Sequence, residues 1–183
     1  SIGLFRELDG TVQNLTLATV SVSRSLANSY LGGIAGINNG TIKNTAVTGT
    51  VSARLSNVSA GGLVGSNFGS ITSSNSTASV SNTGSEAVIG GLAGKNWGSI
   101  SGSYATGNVR GHSSYVGGLA GRFGWIWSGG TSYATGNVEG NGERVGGLAG
   151  TSDGGDIFSA YATGNVIGYN HNVGGLVGYL GGG

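Results

Sequence analysis

The sequence predicts an all-β fold, a parallel β-solenoid (β-helix) of about six coils. Three observations carry this: a phrase that returns at a near-constant interval, apolar residues that alternate with period two, and glycines at fixed places in each interval. The phrase Gly-Gly-Leu/Ile-Ala/Val-Gly begins at Gly32, Gly61, Gly90, Gly117, Gly146 and Gly174, and a degenerate copy, Ile2-Gly3-Leu4-Phe5-Arg6, opens the chain. Counted from the second position of each copy, the steps are 30, 29, 29, 27, 29 and 28 residues. So steady a period over the whole length means one structural unit stacked on itself. Residues 1–183 therefore form a single repeat domain. Ser1 already lies inside a repeat, so a fragment or processed part of a longer polypeptide is expected.

Aligned from Gly90, one repeat reads GGLAG-KNWGS-ISGS-YATGNV-RGHSSYV. No stretch places apolar residues at helical spacing, and glycine this dense would cost a helix about 1 kcal/mol at each site. In the YATGNV segment Ala105, Gly107 and Val109 share one parity, while Tyr104, Thr106 and Asn108 share the other. The first set is small or aliphatic in every repeat, so it faces inward with Leu92 and Ile100. By the same count Ala18, Val20 and Val22 face inward in the first repeat. Corners come next. Asn38-Asn39-Gly40, Asn67-Phe68-Gly69 and Asn96-Trp97-Gly98 supply residues that tolerate positive φ. Three short strands and three corners then complete a coil, with the Gly-Gly pair narrowing it or forming a bulge. Coils spaced at about 4.8 Å give a rod about 29 Å long. Right-handed winding follows from the preference of parallel crossovers. A propeller blade needs about 40 residues, more than a repeat here contains.

Composition agrees. Glycine supplies 41 of 183 residues, with no proline and no Gly-X-Y period, and only 8% of residues are charged. A disordered chain would combine low hydrophobicity with high net charge. A net charge of +1, thinly spread, provides no basic stripe for nucleic acid. No apolar run approaches the roughly 20 residues of a membrane helix, so no membrane insertion is expected. The absence of cysteine excludes disulfides and thiolate metal sites, and it is in keeping with an extracellular bacterial repeat protein.

The phrases Gly90-Gly91-Leu92-Ala93-Gly94, Gly98-Ser99-Ile100 and Tyr104-Ala105-Thr106-Gly107-Asn108-Val109 together resemble the GLUG motif repeat. The likeness runs over essentially the whole chain. It implies a β-solenoid of structural or adhesive type, on the surface of a bacterium or secreted from it, as in haemagglutinin-like adhesins. It implies no catalytic residue. In the peptidases that carry such repeats the chemistry belongs to a separate zinc domain, whose His-Glu-x-x-His motif this chain lacks.

Function must then be sought in columns that run across repeats. One outward column is Thr19, Thr48, Thr77, Thr106, Thr135 and Thr163; its companion two residues on is Ser21, Thr50, Ser79, Asn108, Asn137 and Asn165. Such files, about 6.8 Å apart along a strand and about 4.8 Å between coils, suit a contact face. They also suit ice, although a third file that changes from Ser23, Ser52 and Ser81 to Arg110, Glu139 and Ile167 spoils a uniform ice-like face. Stacked Thr and Asn equally serve a parallel sheet for its own sake. Arg110 and Glu139 share a column in adjacent coils and should pair, and Tyr104, Tyr133 and Tyr161 should stack. Aromatic residues gather after the Gly-Gly phrase: Phe68, Trp97, Phe123, Trp125 and Trp127. Of these Trp97, Phe123, Trp125 and Trp127 form a candidate glycan-stacking corner.

Catalysis finds little material. There are seven carboxylates, and the closest pair, Asp153 and Asp156, flanks Gly154-Gly155 as turn formers. No enzyme activity, cofactor or metal is expected. The expected partners are a host or matrix surface, a glycan, ice as the alternative, or another copy of the chain. The last follows from the ends, where Leu4, Leu176 and Val177 form an apolar edge that a flanking segment or head-to-tail contact would cover.

Overall fold

The computed structural model describes residues 1–54, 56–124, 130–154 and 157–181. Among them there is no helix, and every strand pairing is parallel. The chain winds through about six coils, and each coil contributes to a series of stacked faces. Face one is a seven-stranded sheet of Phe5–Leu8, Ala35–Asn38, Val64–Asn67, Ala93–Asn96, Ala120–Phe123, Ala149–Ser152 and Val177–Leu180. Face two contains Thr11–Gln13, Thr41–Lys43, Ser70–Thr72 and Ser99–Ser101. Face three is the largest, ten strands that include Thr16–Arg24, Ala46–Ala53, Tyr104–Ala105 and Val109–Gly111. Face four holds Tyr30–Leu31, Ser59–Gly61, Val88–Gly90, Tyr115–Gly117, Arg144–Gly146 and Asn172–Gly174. The expectation of three strands per coil is corrected to four faces. The strand before the Gly-Gly phrase and the strand after it belong to different sheets.

The Gly-Gly pair makes that division by narrowing the coil. A Cβ on Gly91 would collide with the Gly118 carbonyl and press on Ala105 Cβ, so the chain crosses here directly against face three. The interior splits accordingly. One core gathers Ile34, Leu63, Leu92, Leu119 and Leu148 with Ile42, Ile71, Ile100 and Ala105 between faces one, two and three. The other gathers Leu31, Ala60, Ile89, Val116 and Val145 with Val51, Val80, Val109 and Val138 between faces three and four. Ala105, Val109, Leu92 and Ile100 are all fully or almost fully buried, as the period-two reading requires.

The corners differ from expectation in where positive φ occurs. It is absent at Asn38, Asn67 and Asn96 and at the glycines two residues on. Gly98 is needed there for another reason: a Cβ would strike the Gly69 carbonyl of the preceding coil. The left-handed residues lie one corner later, at Asn14, Asn44, Ser73 and Gly102, with φ of 58°, 48°, 48° and 54°.

Candidate functional site

The outer side of face three carries the files that the sequence singles out. Thr77, Thr106, Thr135 and Thr163 are exposed in successive coils, and Thr48 is half-buried. Ser21, Thr50, Ser79, Asn108, Asn137 and Asn165 are exposed beside them. Tyr104, Tyr133 and Tyr161 stack as a third file, with ring centroids 4.8 and 4.7 Å apart and planes within 5°. Burial and then its two neighbours push the Tyr133 hydroxyl pKa up. Arg110 and Glu139 pair at 3.2 Å, as their shared column demands.

Thr19 leaves the column. Leu17 pairs with Val47 and Val20 with Gly49, so Ala18 and Thr19 together oppose Thr48 in a bulge. Leu17, bulkier than Ala18, packs on the core, and Ala18, expected inside, is exposed. Thr19 takes φ 55°, and its N–H donates to Thr48 Oγ1 at 3.0 Å. The files are also less planar than an unbroken strand would make them. In coils four to six the strand stops between Ala105 and Val109, Ala134 and Val138, and Ala162 and Val166, which is the Thr-Gly-Asn segment. The asparagine side chain completes the backbone pairing across that gap. Asn108 Oδ1 accepts from the Asn137 N–H and Asn137 Oδ1 from the Asn165 N–H, both at 3.0 Å. The Asn file is therefore part of the ladder as well as part of the surface.

Two buried polar ladders run inside the coil, and sequence reasoning missed both. Asn38 Nδ2 donates to Asn67 Oδ1 and Asn67 Nδ2 to Asn96 Oδ1, each at 2.7 Å and fully or almost fully buried. On the other side of face two, Ser74, Ser103 and Ser132 accept from the N–H groups of Thr45, Ser74 and Ser103 at 3.1–3.2 Å. The signal was present: Asn and Ser recur at one place per repeat on the inward side, where an unpaired polar group would be costly.

Of the four residues of the candidate aromatic corner, Trp97 and Phe123 are described. Phe123 is 3% exposed, because it takes the inward place that Asn96 holds one coil earlier. Trp97 is half-buried; its ring lies over Gly124, and the Arg122 guanidinium sits 5.0 Å from its centroid. Trp125, Trp127 and Asp156 lie outside the described residues. Asp153 is ion-paired with Arg122 and accepts from Thr151 Oγ1, a role beyond turn formation. No group of His, Asp or Glu among the described residues could hold a metal ion.

The family model of the GLUG motif matches twice, at residues 85–110 and 141–167. The chain carries GLUG repeats. Each matched GLUG repeat is one circuit of the solenoid, from the corner before face four through face one to the end of the Thr-Gly-Asn-Val segment on face three. The GLUG phrase Gly-Gly-Leu-Ala-Gly is thus the crossing between two sheets, and the Ala-Thr-Gly-Asn-Val phrase is the interrupted strand of face three. No curated protein and no solved structure matches the chain.

Proposed function

We propose that this GLUG-repeat solenoid is a non-enzymatic structural or adhesive segment of a bacterial surface or secreted protein, with face three as its contact surface. The observation that carries the reading is the outer side of face three, where successive coils stack Tyr on a parallel ladder and repeat Thr and Asn in the gap that follows it, the Asn side chains bonding from coil to coil. A ladder of this kind is stiff and presents each group many times, which suits weak contacts made in number to a host cell, matrix or glycan layer. The carboxylate in the strands of face three, Glu139, is engaged by Arg110.

Adhesion of protein-coated beads to glycan- and matrix-coated surfaces tests this. Retention is expected, and Thr106→Lys with Thr135→Lys should abolish it; retention unchanged by both would overturn the role of face three. A second reading, ice binding, is favoured by the exposed threonine hydroxyls in adjacent coils. Thermal hysteresis that disappears in Thr48→Tyr and Thr77→Tyr variants would replace the adhesive reading. The last coil exposes Ile167, Val173, Leu176 and Leu180. Cover of this edge by a second copy is part of the same proposal, and sedimentation at rising concentration tests it: a monomer throughout would overturn it.

A further inference from the structure

A groove runs along the outside of the solenoid where faces four and one meet, on the far side of the Gly-Gly crossing. Its walls are two columns. Face four contributes Tyr30, Ser59, Val88, Tyr115, Arg144 and Asn172, and face one contributes Ile37, Ser66, Lys95, Arg122, Thr151 and Tyr179. In the later coils the groove is filled. The Arg144 guanidinium stacks 5.1 Å from the Tyr115 centroid and 4.1 Å from that of Tyr179, and Arg122 is tied to Asp153.

In the earlier coils the face-four side instead borders on the corner that follows face three. A cavity of about 210 Å³ remains there, lined by Asn28, Tyr30, Asn57, Ser59, Glu86 and Lys95 with Val58. Lys95 lines it from face one. It is half-buried and has no ion-pair or hydrogen-bond partner among the described residues. Burial, and then the neighbouring Arg122, lower its pKa, so the cation is held at a cost that a bound anion would relieve. Glu86 lines the same cavity without reaching Lys95. Tyr30, Asn28, Asn57 and Ser59 complete the lining, and Ser59, almost fully buried, is held by the bond its Oγ donates to the Gly65 carbonyl.

We infer that this cavity is a binding site for a carboxylated sugar, such as a hexuronic acid unit of an acidic polysaccharide. The chemistry of each wall selects a part of that ligand. Lys95 takes the carboxylate as a charge-assisted hydrogen bond. Glu86, an acceptor only, takes ring hydroxyls and repels a second anionic group, which disfavours sulfate esters and phosphates. The amides bond the remaining hydroxyls, and the Tyr30 ring offers an apolar face to the C–H side of the pyranose. The site is built from face four, the corner before it and Lys95 of face one; none of its lining residues belongs to the outer files of face three, so it does not depend on the contact role proposed for them.

Titration with sodium galacturonate and with galactose, followed by saturation-transfer NMR and calorimetry, tests the inference. Galacturonate is expected to bind at least tenfold more tightly than galactose. Lys95→Met should remove that preference, Glu86→Gln and Tyr30→Ala should weaken both sugars, and Lys43→Met, an exposed lysine on face two, should change nothing. Acetate at equal concentration should not compete. Binding of neither sugar, a preference that survives Lys95→Met, or displacement by acetate would each overturn the assignment.

Discussion

In coils one to three the corner between faces three and four spans residues 25–29, 54–58 and 83–87; in coils four to six it shrinks to 112–114, 141–143 and 169–171. The long corners turn through a left-handed residue, Asn28, Asn57 or Glu86, at φ of 53°, 56° and 54°; no positive-φ residue occurs in the short ones. The strands of face three change more gradually, running unbroken in Thr16–Arg24 and Ala46–Ala53, split at Thr77-Ala78 in coil three, and split at Thr-Gly-Asn in coils four to six. The interiors differ too. Coils two to four stack a buried asparagine ladder, which meets an apolar plug, Phe123, in coil five. Outside, a cavity lined from coils one to four stays open beside Lys95, whereas farther along Arg144 is closed onto aromatic rings. The same backbone ladder thus tolerates polar or apolar filling and long or short corners. What it keeps constant is the Gly-Gly crossing and the register of its strands.

The largest effect that can test this contrast is in coil five. Phe123→Ala should cost about 3–5 kcal/mol, as a large ring is removed from a closed interior, read as a lower midpoint in urea unfolding. Asn67→Ala in coil three should cost less, about 2–3 kcal/mol, because it strands the Asn38 donor and the Asn96 acceptor without opening a large cavity. If the two halves form one cooperative unit, both variants shift a single transition; two separated transitions would show that the halves unfold independently.

Smaller effects belong to the surface. Tyr133→Ala interrupts the stack between Tyr104 and Tyr161 and should cost about 1 kcal/mol, with the later coils affected first in hydrogen exchange. Because the Tyr133 pKa is raised in the fold, its contribution is present below the ordinary tyrosine range. It fades as pH rises through the elevated folded value. An ultraviolet titration should show a tyrosine that ionises above the ordinary range and is lost in Tyr133→Phe. The Arg110–Glu139 pair is mostly solvated and should give about 0–1 kcal/mol in a double-mutant cycle, diminishing with added salt. Lys95→Met should raise thermal stability slightly, since a lowered lysine pKa marks a charge that the folded state disfavours. A fall in melting temperature would show that Lys95 serves the fold itself.

Most of the architecture was legible in the sequence because translation along a solenoid axis preserves residue parity. The inward places of Ala105, Val109, Leu92 and Ile100, the Tyr104 stack and the Arg110–Glu139 pair all follow from counting. Counting failed where one residue more or less is absorbed locally. Thr19 falls into a bulge because Leu17 competes successfully for the interior against Ala18. Phe123 reads as an exposed aromatic only while Asn96, its partner in register, is taken for a turn residue rather than a buried one. The groove was not legible. It depends on two sheets meeting at an angle, and linear spacing holds no information about that angle.

The corner between faces three and four has one further consequence. It loses two residues between coils three and four, yet Asn82 stays opposite Gly111 and Val88 opposite Tyr115 on either side of it. The winding therefore has a margin in which text can be inserted or deleted without shifting the lines above and below. A peptide epitope spliced between Gly140 and Arg144 would be displayed at a fixed height on the rod, and a series of such splices, one per coil, would make the solenoid a molecular ruler with marks about 4.8 Å apart.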